Sequence, residues 1–198
     1  MKLILVLLSI IVFVFAQAPS PNELSIAKIT YGGSGCPQDS VTERLEEQNT
    51  KITLYFNEYS AKMGPGIPVV DSRKNCQITI QFDILNGGWQ FSLSSANYSG
   101  NLKLSVGAVA QQSSAFYFEG SLNAGKKDKT FTAEQNGEYS VAKVFDDTTI
   151  WSECKRNTLL NLNSQVRISG PAGSSGEITS SLVSLKSTQS FGLIWRRC

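Results

Sequence analysis

The chain has 198 residues, with 18 Lys or Arg against 16 Asp or Glu, so its formal net charge is only +2. It contains no histidine, which removes the usual general base of a serine or cysteine nucleophile and the usual nitrogen ligand of zinc. Nucleic-acid binding is not predicted, because that function requires basic charge clustered on one face. We interpret four basic doublets as solvated surface rather than as an anionic-polymer site or processing sites: Arg73-Lys74, Lys126-Lys127, Lys155-Arg156 and Arg196-Arg197.

The amino terminus is typical of a secretion signal. Lys2 precedes an apolar run over residues 3–15, and the small residues Ala16 and Ala18 follow. A retained membrane anchor is disfavoured, since the run is shorter than the about 20 apolar residues of a spanning helix. We expect cleavage after Ala16, because Pro19 would stand too close to a cut after Ala18. The expected organisation is a signal peptide at 1–16, a flexible lead-in at 17–22, and one domain at 23–198 of a secreted, extracellular protein without a membrane segment.

Alternation of apolar and polar residues predicts strands over most of the remaining chain. Only Ser40 to Gln48 has helical character, with Val41 and Leu45 four residues apart, and it predicts one short surface turn or helix. The clearest strand runs from Cys76 to Ile84. The same period recurs at 52–56, 89–93, 102–106, 116–118, 160–168, 177–186 and 189–195.

Turn-forming clusters separate these strands, at 64–66, 123–125, 136–137 and 170–176. Asn86-Gly87-Gly88 stands between two alternating runs and predicts a β-hairpin, since Asn and Gly tolerate the positive φ angles of tight turns. Many short strands with turns between them favour an all-β class, as a disulfide-stapled antiparallel β-sandwich with a single domain.

Four cysteines in a secreted chain predict two disulfides, and three pairings are possible: the cysteines are Cys36, Cys76, Cys154 and Cys198. Sequential pairing would close two loops of about forty residues, each stabilising the fold by roughly 4 kcal/mol at most in the chain-entropy model. No two cysteines have CxxC spacing and no histidine is available, so we predict neither a metal site nor a cofactor.

Carboxylates are the remaining candidates for catalysis, because glycoside hydrolysis needs only two of them facing each other. The acids nearest the predicted strand ends are Asp71, Asp83, Glu119, Asp146, Asp147 and Glu153. No spacing marks two of them as a pair, so ordinary surface acids are the favoured interpretation. We therefore name no catalytic residue.

Two tyrosines occupy the outward phase of predicted strands. Tyr55 lies between Leu54 and Phe56, and Tyr117 lies between Phe116 and Phe118. Such rings can stack on sugars or anchor a protein partner, although tyrosine is also common on sheet surfaces without any such role.

Asn97-Tyr98-Ser99 is an acceptor sequence for N-glycosylation, and the glycine and asparagine that follow it suggest a surface turn. We predict a glycoprotein modified at Asn97.

The chain resembles the secreted Domain of Unknown Function 4360 family along nearly its whole mature length. The likeness rests on Tyr31 to Pro37, Asp71 to Gln77, Tyr98-Ser99-Gly100, Phe116-Tyr117-Phe118 before Gly120, Trp151-Ser152-Glu153-Cys154, Leu160-Asn161-Leu162-Asn163 and Trp195-Arg196-Arg197-Cys198. The resemblance implies a small secreted protein of a family known largely from fungi, without an established activity or catalytic residues. It also favours pairing Cys36 with Cys76 and Cys154 with Cys198.

We therefore expect a non-enzymatic extracellular or cell-wall-associated module that binds a polysaccharide or a protein partner. A carboxylate-dyad glycoside hydrolase and a secreted effector or inhibitor are the alternatives. The oligomeric state is left open.

Overall fold

The computed structural model describes residues 18–57, 59–85, 88–145, 150–179 and 187–198, so the expected signal peptide at 1–16 lies outside the described residues. Twelve strands are described: β1 Leu24–Gly32, β2 Val41–Glu46, β3 Lys51–Phe56, β4 Ser60–Met63, β5 Arg73–Ile84, β6 Trp89–Leu104, β7 Val109–Phe118, β8 Gly125–Phe131, β9 Gly137–Val144, β10 Asn157–Ser169, β11 Gly176–Thr179 and β12 Ser187–Arg197. Short 3-10 turns lie at Val69–Ser72 and Ala133–Gln135. No α-helix occurs in these ranges, and hence none that is long and apolar enough to cross a membrane.

The strands form two antiparallel sheets, which confirms the predicted all-β sandwich of one domain. Sheet A has the order β1-β5-β10-β7-β8. In sheet B, β2 pairs with β3, β3 with β12, and β12 with β6, while β9 pairs with the opposite edge of β6. β4 and β11 extend the lines of β3 and β12, since β11 pairs with β4 and with the last residues of β6.

The core lies between the sheets and is filled by the inward phase of each strand. Phe91 of sheet B is central to it, because its ring centroid lies 4.9 Å from that of Phe82 and 5.1 Å from that of Phe118, both in sheet A. Trp195 packs on the same ring at 5.0 Å. Burying side chains of this size contributes roughly 1.5–3 kcal/mol each, so this aromatic cluster is a main source of cohesion between the sheets.

Hydrogen bonds between buried polar side chains also join the two sheets. The Ser164 hydroxyl of β10 accepts from the Tyr59 hydroxyl at 2.9 Å and from Gln189 Nε2 of β12 at 2.8 Å. Nearby, the Tyr139 hydroxyl of β9 donates to Gln112 Oε1 of β7 at 3.2 Å. Because buried polar groups are costly without partners, these bonds favour one relative position of the sheets.

The disulfides join Cys36 to Cys76 and Cys154 to Cys198, the sequential pairing that the family resemblance implied. The first attaches the segment after β1 to β5 and is buried, with 1% exposure of each cysteine. The second attaches the segment before β10 to the last residue of the chain, and its two cysteines are exposed.

The predicted hairpin around residues 86–88 is wrong. β5 pairs with β1 and β10 in sheet A, whereas the next strand, β6, belongs to sheet B. Both strands carry an apolar face, and placing them in opposite sheets lets both faces meet in the core. Asn-Gly marks a change of chain direction, but it does not determine whether the flanking strands pair.

Two local predictions are also wrong. Residues 41–46 form strand β2 instead of a helical turn, because a spacing of four residues places Val41 and Leu45 on one face in either conformation, and pairing with β3 selects the strand. The surface turn expected after Asn97 is absent, since β6 continues through it to Leu104 with strands paired on both edges.

At the predicted strand 102–106, Val106 lies beyond the end of β6 and is 91% exposed. Of the strand expected over 177–186, residues 176–179 form β11 and residues 180–186 lie outside the described residues.

Candidate functional site

The two candidate tyrosines lie on opposite outer faces of the sandwich. Tyr117 of β7 is aligned with Asn161 of β10 in sheet A. Tyr55 of β3 is aligned with Thr188 of β12 in sheet B. Both rings are half-buried and point away from the core, as the strand phase predicts, but the structure does not bring them into one site.

Tyr55 belongs to a charged network. Its hydroxyl donates to Glu46 Oε1 at 3.1 Å, and the guanidinium carbon of Arg44 lies 5.6 Å from its ring centroid. A hydrogen bond from Thr53, supported by those from Tyr55 and Lys51, holds the pKa of Glu46 below its usual range. Burial raises the pKa of Tyr55, and the Glu46 carboxylate adds to this effect. These contacts explain the position of Tyr55 without an external ligand.

Tyr117 has a different environment, in which its aligned neighbour Asn161 and its hydrogen-bond partner Gln77 are uncharged. Gln77 Nε2 donates to its hydroxyl at the long distance of 3.5 Å. Beside it, the Thr79 hydroxyl donates to Asn161 Oδ1 at 2.7 Å. We call the surrounding outward surface of β5, β10 and β7 the amide face, consisting of Asn75, Gln77, Thr79, Ser113, Ala115, Tyr117, Asn161, Asn163 and Gln165.

A shallow depression of about 350 Å³ lies within the amide face. Its floor is low along β7, where Ser113 and Ala115 have short side chains next to Gln165 and Asn163 of β10. Asparagine and glutamine present both donors and acceptors, so this surface can exchange hydrogen bonds with hydroxyl groups in either direction. Tyr117 lies two residues along β7 from Ala115, on the same face of the strand, and adds an apolar ring beside the depression.

The charges of the depression are basic. Arg73 lines it on β5 and is oriented by a hydrogen bond from its Nε to Gln165 Oε1 at 2.7 Å. Lys126 lines it on β8, with its Nζ 3.3 Å from Asp128 Oδ2. The described lining includes no carboxylate residue.

The carboxylates proposed as catalytic candidates are paired with basic groups wherever the structure describes them. Asp71 pairs with Lys74 at 2.6 Å, Asp83 with Arg156 at 2.7 Å, and Glu119 and Glu153 share Lys155 at 3.7 and 3.0 Å. The hydrogen bond from Arg156 holds the pKa of Asp83 below its usual range. Asp146 and Asp147 lie outside the described residues.

Asn97 lies on the outer face of sheet B, within β6. Its direct neighbours across the sheet are Ser190 of β12 and Ala142 of β9, both small, and the Asn97 side chain is half-exposed. Its glycosylation remains a prediction.

Arg167 borders the amide face, and the sequence did not single it out. It lies on β10 directly opposite Arg73 of β5, although 94 positions separate the two in the chain (167 − 73). The alternation of Asn161, Asn163 and Gln165 was a usable signal for an amide-rich outward phase. The proximity of the two arginines carried no such signal, because it depends on the pairing of β5 with β10.

Comparisons with known proteins give a family and a curated relative. The model of the family described as "Domain of unknown function (DUF4360)" matches residues 22–198. An uncharacterized secreted protein of Arthroderma benhamiae is 35% identical over 184 residues, covering 92% of this chain and 75% of the relative.

Two solved structures show weak likeness. One is TmCBM61 in complex with β-1,4-galactotriose, with a TM-score of 0.31 and 9% identity over 87% of this chain and 90% of that chain. The other is the enzymatically active domain of bacteriophage CBA120 tailspike protein 4, with a TM-score of 0.25 and 12% identity over 88% of this chain and 20% of that chain. At these TM-scores neither bears on function. The family match and the secreted relative, together with the two disulfides, place this chain in the DUF4360 family as a secreted, extracellular protein.

Proposed function

We propose that this protein is a non-enzymatic polysaccharide-binding module and that the amide face of sheet A is its binding surface. The observation that carries the proposal is the uncharged array of amide and hydroxyl side chains across β5, β10 and β7, which includes Tyr117. A surface of this composition suits a ligand rich in hydroxyl groups.

The amide face offers two kinds of contact to a sugar: hydrogen bonds to its hydroxyl groups and stacking on its apolar side. Gln77, Asn163 and Gln165 can each donate and accept, which matches the mixed character of sugar hydroxyls. The Tyr117 ring combines apolar area with a polar tip, so it can stack on the apolar side of a pyranose.

The shape of the surface favours a polymer. Three neighbouring strands span about 10 Å, and the depression they form is open and shallow rather than an enclosed pocket of the kind that binds small molecules. A chain of sugars can lie across such a face and contact several side chains at once.

Binding is favoured over hydrolysis because the depression, as far as the structure describes its lining, lacks the pair of carboxyl groups that hydrolysis requires. A glycosidase needs two carboxyl groups about 5–10 Å apart on either side of the scissile bond. The described lining of the depression has none, and the described candidate acids are engaged by Lys74, Arg156 and Lys155.

The remaining organisation is consistent with this function. We propose that residues 1–16 are removed as a signal peptide and that the domain occupies 23–198. A glycan on Asn97 would project from sheet B and leave the amide face of sheet A free.

Retention on polysaccharides tests the proposal. The protein is applied to a glycan array and to insoluble wall polysaccharides, together with a variant carrying Asn163→Ala and Gln165→Ala. A matched control, Asn101→Ala, removes an outward amide from sheet B. We expect retention by the native protein and the control and loss in the double variant. No retention on any polysaccharide, or equal retention by all three proteins, would contradict the proposal.

A further inference from the structure

Arg73 and Arg167 face each other across the β5–β10 pair on the outer surface of sheet A. Both side chains are exposed, and neither has a carboxylate partner among the described residues. Like charges directly opposite each other destabilise an antiparallel pair. Two arginines in this register are therefore unfavourable for the fold unless a negative charge neutralises them.

The charged side chains that line the depression next to this pair are also positive. Arg73 and Lys126 line its opposite sides, on β5 and β8, with uncharged side chains between them. Asp128, aligned with Ser113 of β7, offsets Lys126 only in part, because the Lys126 side chain is 65% exposed and water screens the pair. A ligand lying on the amide face would thus meet uncharged amides along its middle and unneutralised positive charge beside Arg73.

We propose that the ligand of the amide face is an acidic polysaccharide whose carboxylates are bound by Arg73 and Arg167. This inference rests on the proposed function, since it specifies the chemical class of polysaccharide that the same surface takes. The charge of the arginine pair selects the acidic group, and the amides and Tyr117 select the sugar.

The geometry of Arg73 suits it to this task. Its bond to Gln165 fixes the side chain against the sheet and uses only Nε, so both terminal nitrogens remain to donate to a carboxylate. A carboxylate beside the pair would also relieve the repulsion between the two guanidinium groups. The same carboxylate would therefore bind the protein and reduce the repulsion between Arg73 and Arg167.

An acidic polysaccharide fits better than an anionic membrane or a nucleic acid. Phosphate surfaces are bound mainly through clustered Lys and Arg. The amide face instead has uncharged hydrogen-bonding side chains at most of its positions, and they would contribute little to such binding. These other anionic partners are outcomes that the experiment must separate.

Matched polymers provide the experiment. Binding of the native protein to polygalacturonate and polyglucuronate is compared with binding to the same polymers after complete methyl esterification, which removes the charge and retains the sugar. We expect the acidic forms to bind and the esters to bind at least tenfold more weakly. Raising the salt concentration to about 1 M should weaken binding of the acidic forms, because screening shortens the reach of the charges.

Variants locate the effect on the protein. Arg73→Gln and Arg167→Gln should each weaken binding of the acidic polymer by about tenfold to a hundredfold, the range for a lost charge-assisted hydrogen bond. Arg44→Gln, on the outer face of sheet B, is the matched control and should bind as the native protein does.

The outcomes separate this inference from the proposed function. Equal binding of the acidic and esterified polymers, or of neutral polysaccharides alone, would overturn the acidic ligand and leave polysaccharide binding intact. No binding of any polysaccharide would overturn both. Binding of vesicles of anionic phospholipid or of DNA, with the same dependence on Arg73 and Arg167 and with no polysaccharide bound, would likewise overturn both.

Discussion

Tyr55 and Tyr117 both point outward from strands of opposite sheets, so the body of the sandwich separates their rings. Tyr55 is bonded to Glu46 and lies beneath Arg44, whereas Tyr117 borders a depression lined by amides. The two residues therefore form a natural pair of test and control for the binding face.

Replacing Tyr117 by Ala should weaken polysaccharide binding about tenfold, because the ring contributes stacking area that no neighbouring side chain replaces. Tyr55→Ala should leave binding unchanged. Both variants are compared by affinity electrophoresis in gels containing the polysaccharide, with thermal unfolding as a check that each is folded. An equal loss of binding in the two variants, with both still folded, would contradict the location of the binding face on the Tyr117 side of the sandwich.

The two disulfides should differ in accessibility to reductant. Cys36 and Cys76 are buried, whereas Cys154 and Cys198 are exposed, so mild reduction of the folded protein should open only the second bond. Alkylation followed by mass spectrometry identifies the modified cysteines. Labelling of Cys36 and Cys76 first, or of all four together, would contradict the burial that we describe.

Loss of the second disulfide should lower stability and leave the fold intact. Its two cysteines are 44 positions apart, and the chain-entropy model gives roughly 4 kcal/mol as the upper limit for a loop of this size. The variant with Cys154→Ser and Cys198→Ser should therefore unfold at lower denaturant concentration. Its near-ultraviolet circular dichroism should keep the native aromatic signals, because the Phe91 cluster does not depend on this bond.

Stability should fall at alkaline pH partly because of Tyr98. Burial raises the pKa of Tyr98 to about 12, and this effect outweighs the opposing one of the Ser114 hydroxyl. Because the folded-state pKa is above the value of about 10 in an unfolded chain, the contribution is complete below about pH 10 and is lost as the pH rises towards 12.

Tyr98→Phe removes this titration. The loss of unfolding free energy between about pH 8 and pH 11 should become smaller by about 1 kcal/mol in the variant, as measured by urea unfolding at both pH values. An identical pH dependence in both proteins would show that Tyr98 does not titrate in this way.

Arg167→Gln should stabilise the free protein while it weakens binding. Removing one of two opposed charges on β5 and β10 should raise the free energy of unfolding by a few tenths of a kcal/mol at low salt. The gain should disappear in about 1 M salt, and Arg167→Lys should not show it. A loss of stability at low salt would mean that the two arginines do not repel each other in the folded state.

Strand phase was the part of the fold that the sequence predicted well. The alternation around Ile78 and Ile80 defined both faces of β5, and the outward position of Tyr117 followed from the same rule. Which strands pair with each other in a sheet could not be predicted from this alternation. The segment 86–88 looked like a hairpin turn, but burial of two apolar faces placed β5 and β6 in opposite sheets.

The candidate site could be predicted only in part, because its geometry depends on which strands pair. Asn161 and Asn163 could be assigned to an outward phase from the sequence, whereas the meeting of Arg73 with Arg167 requires the register between β5 and β10. In the sequence the basic doublets are dispersed, because the residues that are adjacent in the sheet are far apart in the chain. Arg73 and Lys126, from two different doublets, line the same depression.

The most direct measurement of the binding face is a nuclear magnetic resonance titration of the isotope-labelled protein with oligosaccharides of the bound polysaccharide. We predict that backbone and side-chain amide signals of Gln77, Ser113, Asn163 and Gln165 shift, while those of Thr188 and Asn101 on sheet B do not. Shifts confined to sheet B, or an absence of shifts at oligosaccharide concentrations that saturate binding, would contradict the assignment of the amide face as the binding surface.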